Sequence, residues 1–410
     1  MPARAIGPGA RRFRPALRSP TGASVYTMTC IPYRCYRHAK AKAPPMAYSP
    51  EDRPASALTG AIDCDIHPAV PNTRALLPYF DDYWREHVLR RGLERESFET
   101  SSYPANAPIN GRPDWRLPSG PPGSSLAAMQ THLLDHFRPS RGVCNVIHGA
   151  QVMLSEDLSA AFCRAINNWI KAEWLDRDPR LRASMVVPPH SAELAVEEIE
   201  RLAADRRFVQ VLLLAMTELP LGRRQNWPIY QAAEAHGLPI GIHAGSSFRH
   251  PPSALGWPSY YLEDYVSQAQ GFQAALNSLI SEGVLVKFPG LKVVLIESGV
   301  AWLPASLWRL DKTWRGVRAE VPWLEQQPTE TVREHVRLTL QPFDSPPTEQ
   351  QLQTLLEQLG SDRMLLFSSD YPHWHFDGDD ALPSGLSDEL MQKICIENPL
   401  ETYPRLKETT

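Results

Sequence analysis

Leu291-Lys292-Val293-Val294-Leu295-Ile296-Glu297-Ser298-Gly299, preceded by Phe288-Pro289-Gly290, is an apolar run that ends on a carboxylate. It reads as a buried parallel strand presenting Glu297 at its C-terminal tip. Runs of the same design, apolar and closing on a polar or ionisable residue, recur at 62–67, 143–148, 183–187, 209–214, 238–243, 336–341 and 364–370. With the quoted stretch they make eight, and helical segments separate them. Eight alternating strands and helices predict a (β/α)8 TIM barrel, whose reactive groups sit at the strand C-termini and on the loops that follow.

The helical segments are read at 72–91, 131–137, 155–175 with Ser155 as N-cap, 192–205, 228–235 closed by Gly237, 301–317, 348–359 and 386–396. Two long loops are expected, one after strand one (101–124) and an aromatic one after strand five (246–262), and the first is expected to act as a lid. Phe248, Trp257, Tyr260 and Tyr261 in the second suit an aromatic or planar substrate.

The chain has 410 residues, 43% of them apolar and 21% charged, enough to bury one large core. No apolar run approaches the roughly 20 residues that span a bilayer, so a membrane span is not expected. Six scattered cysteines, with Cys64 and Cys144 inside strands, predict a reduced, cytoplasmic protein. Residues 1–50 hold nine Lys or Arg and no acid; taking nine from 42 leaves 33 basic against 46 acidic residues in the rest, which argues against nucleic-acid binding. Residues 1–58 are expected to be a disordered extension, and a true start at Met46 would account for their odd composition. Arg11-Arg12 is not followed by the apolar stretch an export signal needs. The folded domain is expected over 59–410.

In Ala61-Ile62-Asp63-Cys64-Asp65-Ile66-His67-Pro68, alternation puts Asp63, Asp65 and His67 on one face of the first strand, pointing into the barrel mouth. Collecting the tips gives Asp65, His67, His243, Glu297 and Asp370, a mixture of imidazole and carboxylate that composes a metal site. It suits one divalent ion, Zn²⁺ first, with Mn²⁺ or Fe²⁺ as alternatives. His148, Gln341, Trp302 and His373 are candidate substrate contacts, each weighed against a plain packing role. His375 stands beside His373, while His190, Arg249 and His250 are read as surface residues.

The first-strand phrase, the quoted stretch and Phe367-Ser368-Ser369-Asp370-Tyr371-Pro372-His373 together resemble the amidohydrolase-related family of metal-dependent barrels, over about residues 61–404. Its branch with aminocarboxymuconate semialdehyde decarboxylase and the aromatic-acid decarboxylases is the nearest in phrasing. The resemblance implies that Asp65, His67, His243 and Asp370 bind one divalent metal, and that the protein is a homodimer. Strand four lacks the lysine that bridges two metals in binuclear members, which again implies a single ion. Two departures stand out. Asp65 takes a place where relatives often carry His or Glu, and Glu297 stands where several decarboxylases carry a histidine.

The function expected first is a metal-dependent hydrolase that uses an activated water on a small organic acid, amide, lactone or ring-cleavage product. Asp370 would serve as general base and then acid, with Glu297 and His243 beside it. The alternatives are a non-oxidative decarboxylase of an aromatic or unsaturated acid, in which Asp370 protonates carbon, and a barrel that only binds a ligand.

Overall fold

In a computed structural model the described residues are 58–98, 100, 103, 111–247, 250–378 and 381–407. The N-terminal extension, Phe248 and Arg249 lie outside them.

Eight parallel strands follow one another in sequence order: β1 Ile62–Ile66, β2 Arg141–Cys144, β3 Leu181–Val186, β4 Phe208–Met216, β5 Ile240–Ser246, β6 Val293–Ile296, β7 Val336–Thr339 and β8 Leu365–Leu366. Helices between them form the outer ring of a (β/α)8 barrel. Every residue of β4 and of β6 is buried, as expected of strands covered on both faces. The strands stop earlier than the apolar runs do. β8 is regular for only two residues, because beyond it the chain leaves the ladder to deliver Asp370.

The ring closes through irregular chain. The Cys64 amide donates to the Phe367 carbonyl (2.9 Å), Asp370 to that of Asp65 (3.0 Å), and His67 to that of Tyr371 (2.7 Å). The seam between the last and first strands therefore runs through the residues proposed to act.

Three local expectations need correcting. The segment at 72–91 is two helices, Thr73–Tyr79 and Asp82–Arg91, because Asp81 caps the second by accepting from the Trp84 amide. Ser155 occupies the N-cap of Glu156–Ile170, yet its side chain makes no capping bond there. Its hydroxyl neighbour Ser159 instead donates to the Ala150 carbonyl, tying the helix to the preceding turn. Asp63 does not reach the barrel mouth. One of its oxygens accepts from the amides of Ser369 (2.9 Å) and Asp65 (3.2 Å), so it ties the chain after β8 to β1. Burial pushes its carboxyl up to about 7, with those hydrogen bonds opposing. Gly237 takes the left-handed conformation (φ 62°) that ends the helix at Trp227–Ala235, as expected.

Among the described residues no helix is long and apolar enough to cross a membrane. Cys64, Cys144, Cys163 and Cys395 are buried free thiols.

Candidate metal centre

The strand tips bring six ionisable groups together. His67 Nε2 lies 3.1 Å from Asp65 Oδ1, 3.1 Å from Asp370 Oδ1 and 3.2 Å from Glu297 Oε1. His243 Nε2 lies 3.1 Å from the same Glu297 oxygen. His373 Nδ1 adds a contact of 2.5 Å to Asp370 Oδ1 and one of 3.6 Å to Glu297 Oε1. One ligand atom from each of Asp65, His67, His243 and Glu297 falls within 4.8 Å of the others, and the same holds for His67, Glu297, Asp370 and His373.

Among the described residues three non-glycine positions have positive φ, and two of them are in this cluster, Glu297 at 59° and Asp370 at 54°. An L-residue held there costs on the order of 1–3 kcal/mol and persists where the surroundings impose it. Here both strands end by turning sharply so that a carboxylate faces inward. Backbone hydrogen bonds help to hold them: the Glu297 amide donates to Thr339 Oγ1 (3.1 Å), and the Asp370 amide donates to the Asp65 carbonyl.

The imidazoles are oriented from behind. His67 Nδ1 bonds the Asn145 carbonyl (2.9 Å) and His243 Nδ1 the Ala244 carbonyl (2.7 Å). A carbonyl only accepts, so each Nδ1 carries the hydrogen and each Nε2 is left with a lone pair facing the carboxylates. These Nε2 atoms, Glu297 Oε1, Asp65 Oδ2 and Asp370 Oδ2 are buried without a hydrogen-bond partner. Glu297 Oε1 stands 3.2 Å from His67 Nε2 and 3.1 Å from His243 Nε2 without a hydrogen bond to either. That arrangement fits a cation. Ligands about 2.1 Å from an ion lie roughly 3.0–3.4 Å apart, depending on geometry, which matches the spacings seen.

Without a cation the cluster must hold protons instead. Burial resists charging His67, but Asp65, Asp370 and Glu297 outweigh it and hold the imidazole well above its ordinary value. His243 is raised by Glu297 against the same burial. Burial would push Glu297 up, yet His243, His373 and His67 bring it well below the usual carboxylate range. His373 is raised to about 9, burial being overcome by Asp370.

Beneath the cluster lies a polar layer that sequence reasoning missed. Asn145 donates to Asp65 Oδ1 (2.8 Å), and its own side-chain oxygen accepts from Ser184 Oγ (2.5 Å) and Gln210 Nε2 (3.0 Å). All three are buried in the strands or just past them. Asp65 is thus oriented by Asn145 through the same Oδ1 that lies 3.1 Å from His67 Nε2, and its Oδ2 is buried without a partner. Polar residues at inward positions of otherwise apolar strands were the available signal.

Other expected residues find different places. His148 Nδ1 accepts from the Ala150 amide (3.1 Å) and its ring packs near Phe162 at 6.2 Å, a capping and packing arrangement. The Trp302 indole donates to the Ser298 carbonyl (2.8 Å), bracing the turn after Glu297. Gln341 is buried, and its backbone N–H donates to Ser368 Oγ (3.0 Å). His373 belongs to the cluster itself, and its ring centre lies 4.9 Å from that of His67.

An aromatic wall continues outward. His375 Nδ1 is 3.4 Å from Asp370 Oδ2 and its ring stacks on Tyr265 at 4.6 Å and 15°. Tyr265 stacks in turn on Tyr261 (5.6 Å, 15°), which meets Tyr103 at 4.7 Å. Tyr103 comes from the loop after β1, and two neighbouring stretches of that loop are tied to the site. The Thr100 carbonyl accepts from the Ser246 amide (2.9 Å), Arg112 donates from its backbone to Pro372 (2.8 Å) and from its guanidinium to the Phe376 carbonyl (2.9 Å). Gly123, at φ 80°, lets the loop return beside β1: a Cβ there would sit 2.4 Å from the His67 carbonyl. Of the aromatic residues expected to face substrate, Trp257 and Tyr260 turn to solvent, at 61% and 74% exposure. In the helix Tyr261–Ser281, Tyr261 and Tyr265 are four apart and so share one face, on which they stack.

Several solved structures share this architecture. A 2,6-dihydroxybenzoate decarboxylase from Rhizobium aligns at TM-score 0.60 and 19% identity, over 84% of this chain and 99% of that one. A dihydroxybenzoic acid decarboxylase from Polaromonas sp. JS666, with bound manganese and the inhibitor 2-nitroresorcinol, aligns at 0.59 and 18%, over 85% and 98%. An amidohydrolase from Mycobacterium avium subsp. paratuberculosis K-10 aligns at 0.62 and 19%, over 84% and 99%. At these identities the likeness speaks to the fold. The sequence itself matches the family model described as Amidohydrolase over residues 62–405, and the chain therefore belongs to the amidohydrolase family.

Proposed function

We propose that the protein is a mononuclear metal-dependent, non-oxidative decarboxylase of an aromatic carboxylic acid. The observation that carries this reading is the stacked wall of Tyr261, Tyr265 and His375 set directly against the Asp370–His373 pair. An aromatic wall beside an Asp–His pair suits an apolar, ring-bearing substrate whose carbon must be protonated. The fold likeness to decarboxylases of dihydroxybenzoates points the same way. The hydrolytic reading that the sequence placed first has no comparable support.

A bound divalent ion, Mn²⁺ or Zn²⁺, would supply a positive charge to anchor the substrate carboxylate and a neighbouring oxygen. Asp65, His67, His243 and Asp370 are the residues proposed to hold it, and Glu297, nearer than a supporting role requires, joins them. His67 and His243 keep their lone pairs inward because backbone carbonyls hold their other nitrogens. His373 Nδ1 and Asp370 Oδ1 lie 2.5 Å apart, and a proton held between them is the one we assign to the ring carbon. When the bond to the carboxyl carbon breaks, its electron pair stays on the ring carbon, carbon dioxide leaves, and that carbon takes the proton from this pair. Solvent then restores the proton. The wall and the loop carrying Tyr103 keep bulk water from the ring meanwhile.

Metal-loaded protein supplied with ortho-hydroxybenzoates in D₂O tests the reading. Release of carbon dioxide with one deuterium at the carbon that bore it is the expected result. In H₂¹⁸O, product labelled with ¹⁸O and no carbon dioxide would overturn decarboxylation in favour of hydrolysis.

A further inference from the structure

Tyr265 is a neutral residue whose hydroxyl oxygen is buried and has no hydrogen-bond partner. Its ring is not free to turn away. It lies between His375 at 4.6 Å and Tyr261 at 5.6 Å, both within 15° of parallel. The hydroxyl therefore occupies a fixed place beside the cluster, where Glu297 and Asp370 act on it and, with burial as the larger cause, raise its phenol well above the ordinary value. Such a group remains a neutral donor throughout the physiological range. Tyr103 is held neutral in the same way, by burial first and then by Tyr261 and Glu297. The carboxylates raise these phenols further: Glu297 acts on Tyr103, Tyr261 and Tyr265, Asp370 on Tyr261 and Tyr265, and Asp264 on Tyr103.

We infer that Tyr265 is a specificity-determining residue: its hydroxyl donates to an uncharged oxygen on the substrate ring, and the phenolic wall around it selects against a second carboxylate. The inference rests on the proposed aromatic-acid reading and adds which ring substituents the site accepts. A buried donor with no partner in the free protein gains one when a ring hydroxyl arrives, whereas a ring lacking that oxygen leaves it unsatisfied. A second carboxylate at Tyr265 would be desolvated against phenols and repelled by Glu297 and Asp370, the carboxylates that already raise this phenol.

Tyr265→Phe removes one oxygen and keeps the stack. The Mn²⁺-loaded wild type and this variant would be compared for calorimetric binding, and for kcat/KM, on 2-hydroxybenzoate, on dihydroxybenzoates carrying the second hydroxyl at each other ring position, and on a hydroxy-dicarboxylate. The wild type is expected to bind at least one dihydroxybenzoate 10-fold or more tightly than 2-hydroxybenzoate and to bind the dicarboxylate most weakly. The variant is expected to lose most of the first preference, with binding of 2-hydroxybenzoate changed less than about 3-fold. Equal loss on all ligands, no change on any, no binding of any by the wild type, or a wild-type preference for the dicarboxylate would overturn the inference. If binding discriminates as expected but no ligand loses carbon dioxide, the decarboxylase reading fails and the role of Tyr265 stands.

Discussion

Asn145 shows how much of the centre depends on a residue with no ionisable group. It donates to Asp65 Oδ1 while its own oxygen is held by Ser184 and Gln210, so the orientation of one proposed ligand is set three side chains deep. Residues supporting a metal ligand in this way are typically worth about 10–100-fold in affinity. Asn145→Ala should therefore weaken Mn²⁺ or Zn²⁺ binding by that factor in a chelator competition, while the barrel stays folded by circular dichroism; unchanged affinity would show that Asp65 needs no such support. The sequence made His67, His243, Glu297 and Asp370 conspicuous, because an ionisable residue closing an apolar strand has few structural excuses. Asn145, Ser184 and Gln210 were not conspicuous. Each alone is a tolerable polar residue, and only strand register, which sets Ser184 opposite Gln210, reveals that they form one layer.

At the scale of elements, the short helical turn Gly149–Val152 after β2 is capped by His148, whose Nδ1 must stay unprotonated to accept from Ala150. Burial pushes that imidazole down to about 4. The unfolded chain takes the proton near pH 6.5, so the folded state has its full advantage above that value and loses it as the pH falls toward 4. His148→Asn keeps an acceptor for the cap and removes the titration. The variant should therefore lose less stability than the wild type between pH 6.5 and 4, by up to one proton, or about 1.4 kcal/mol per pH unit. Parallel acid-unfolding curves for the two would refute this account of the cap. Element boundaries were the least legible part of the chain for a related reason. The apolar runs extend past the hydrogen-bonded strands, and periodicity does not show where Glu297 and Asp370 leave the ladder at positive φ. The inward turn of Tyr265 was hidden too, since it reads as an ordinary position in a helix until the helix start at Tyr261 is known.

For the whole molecule, the strand count and parallel order follow from the repeated pattern, because buried parallel strands must be apolar throughout and must alternate with helices that cover them. What the pattern does not contain is the closure of the barrel, which passes through irregular chain at Cys64, Asp65, His67, Phe367, Asp370 and Tyr371. Fold and centre are therefore one structure at this seam: two of the three backbone bonds given for it, Asp370 to Asp65 and His67 to Tyr371, involve proposed ligands. The central claim is that buried, unpartnered atoms of these residues converge on a single divalent ion. Anomalous diffraction from crystals of the protein equilibrated with Mn²⁺ tests it most directly. The account predicts one peak per chain, in contact with His67 Nε2, His243 Nε2 and the facing carboxylate oxygens; no peak among them, or two peaks of comparable height, would contradict it.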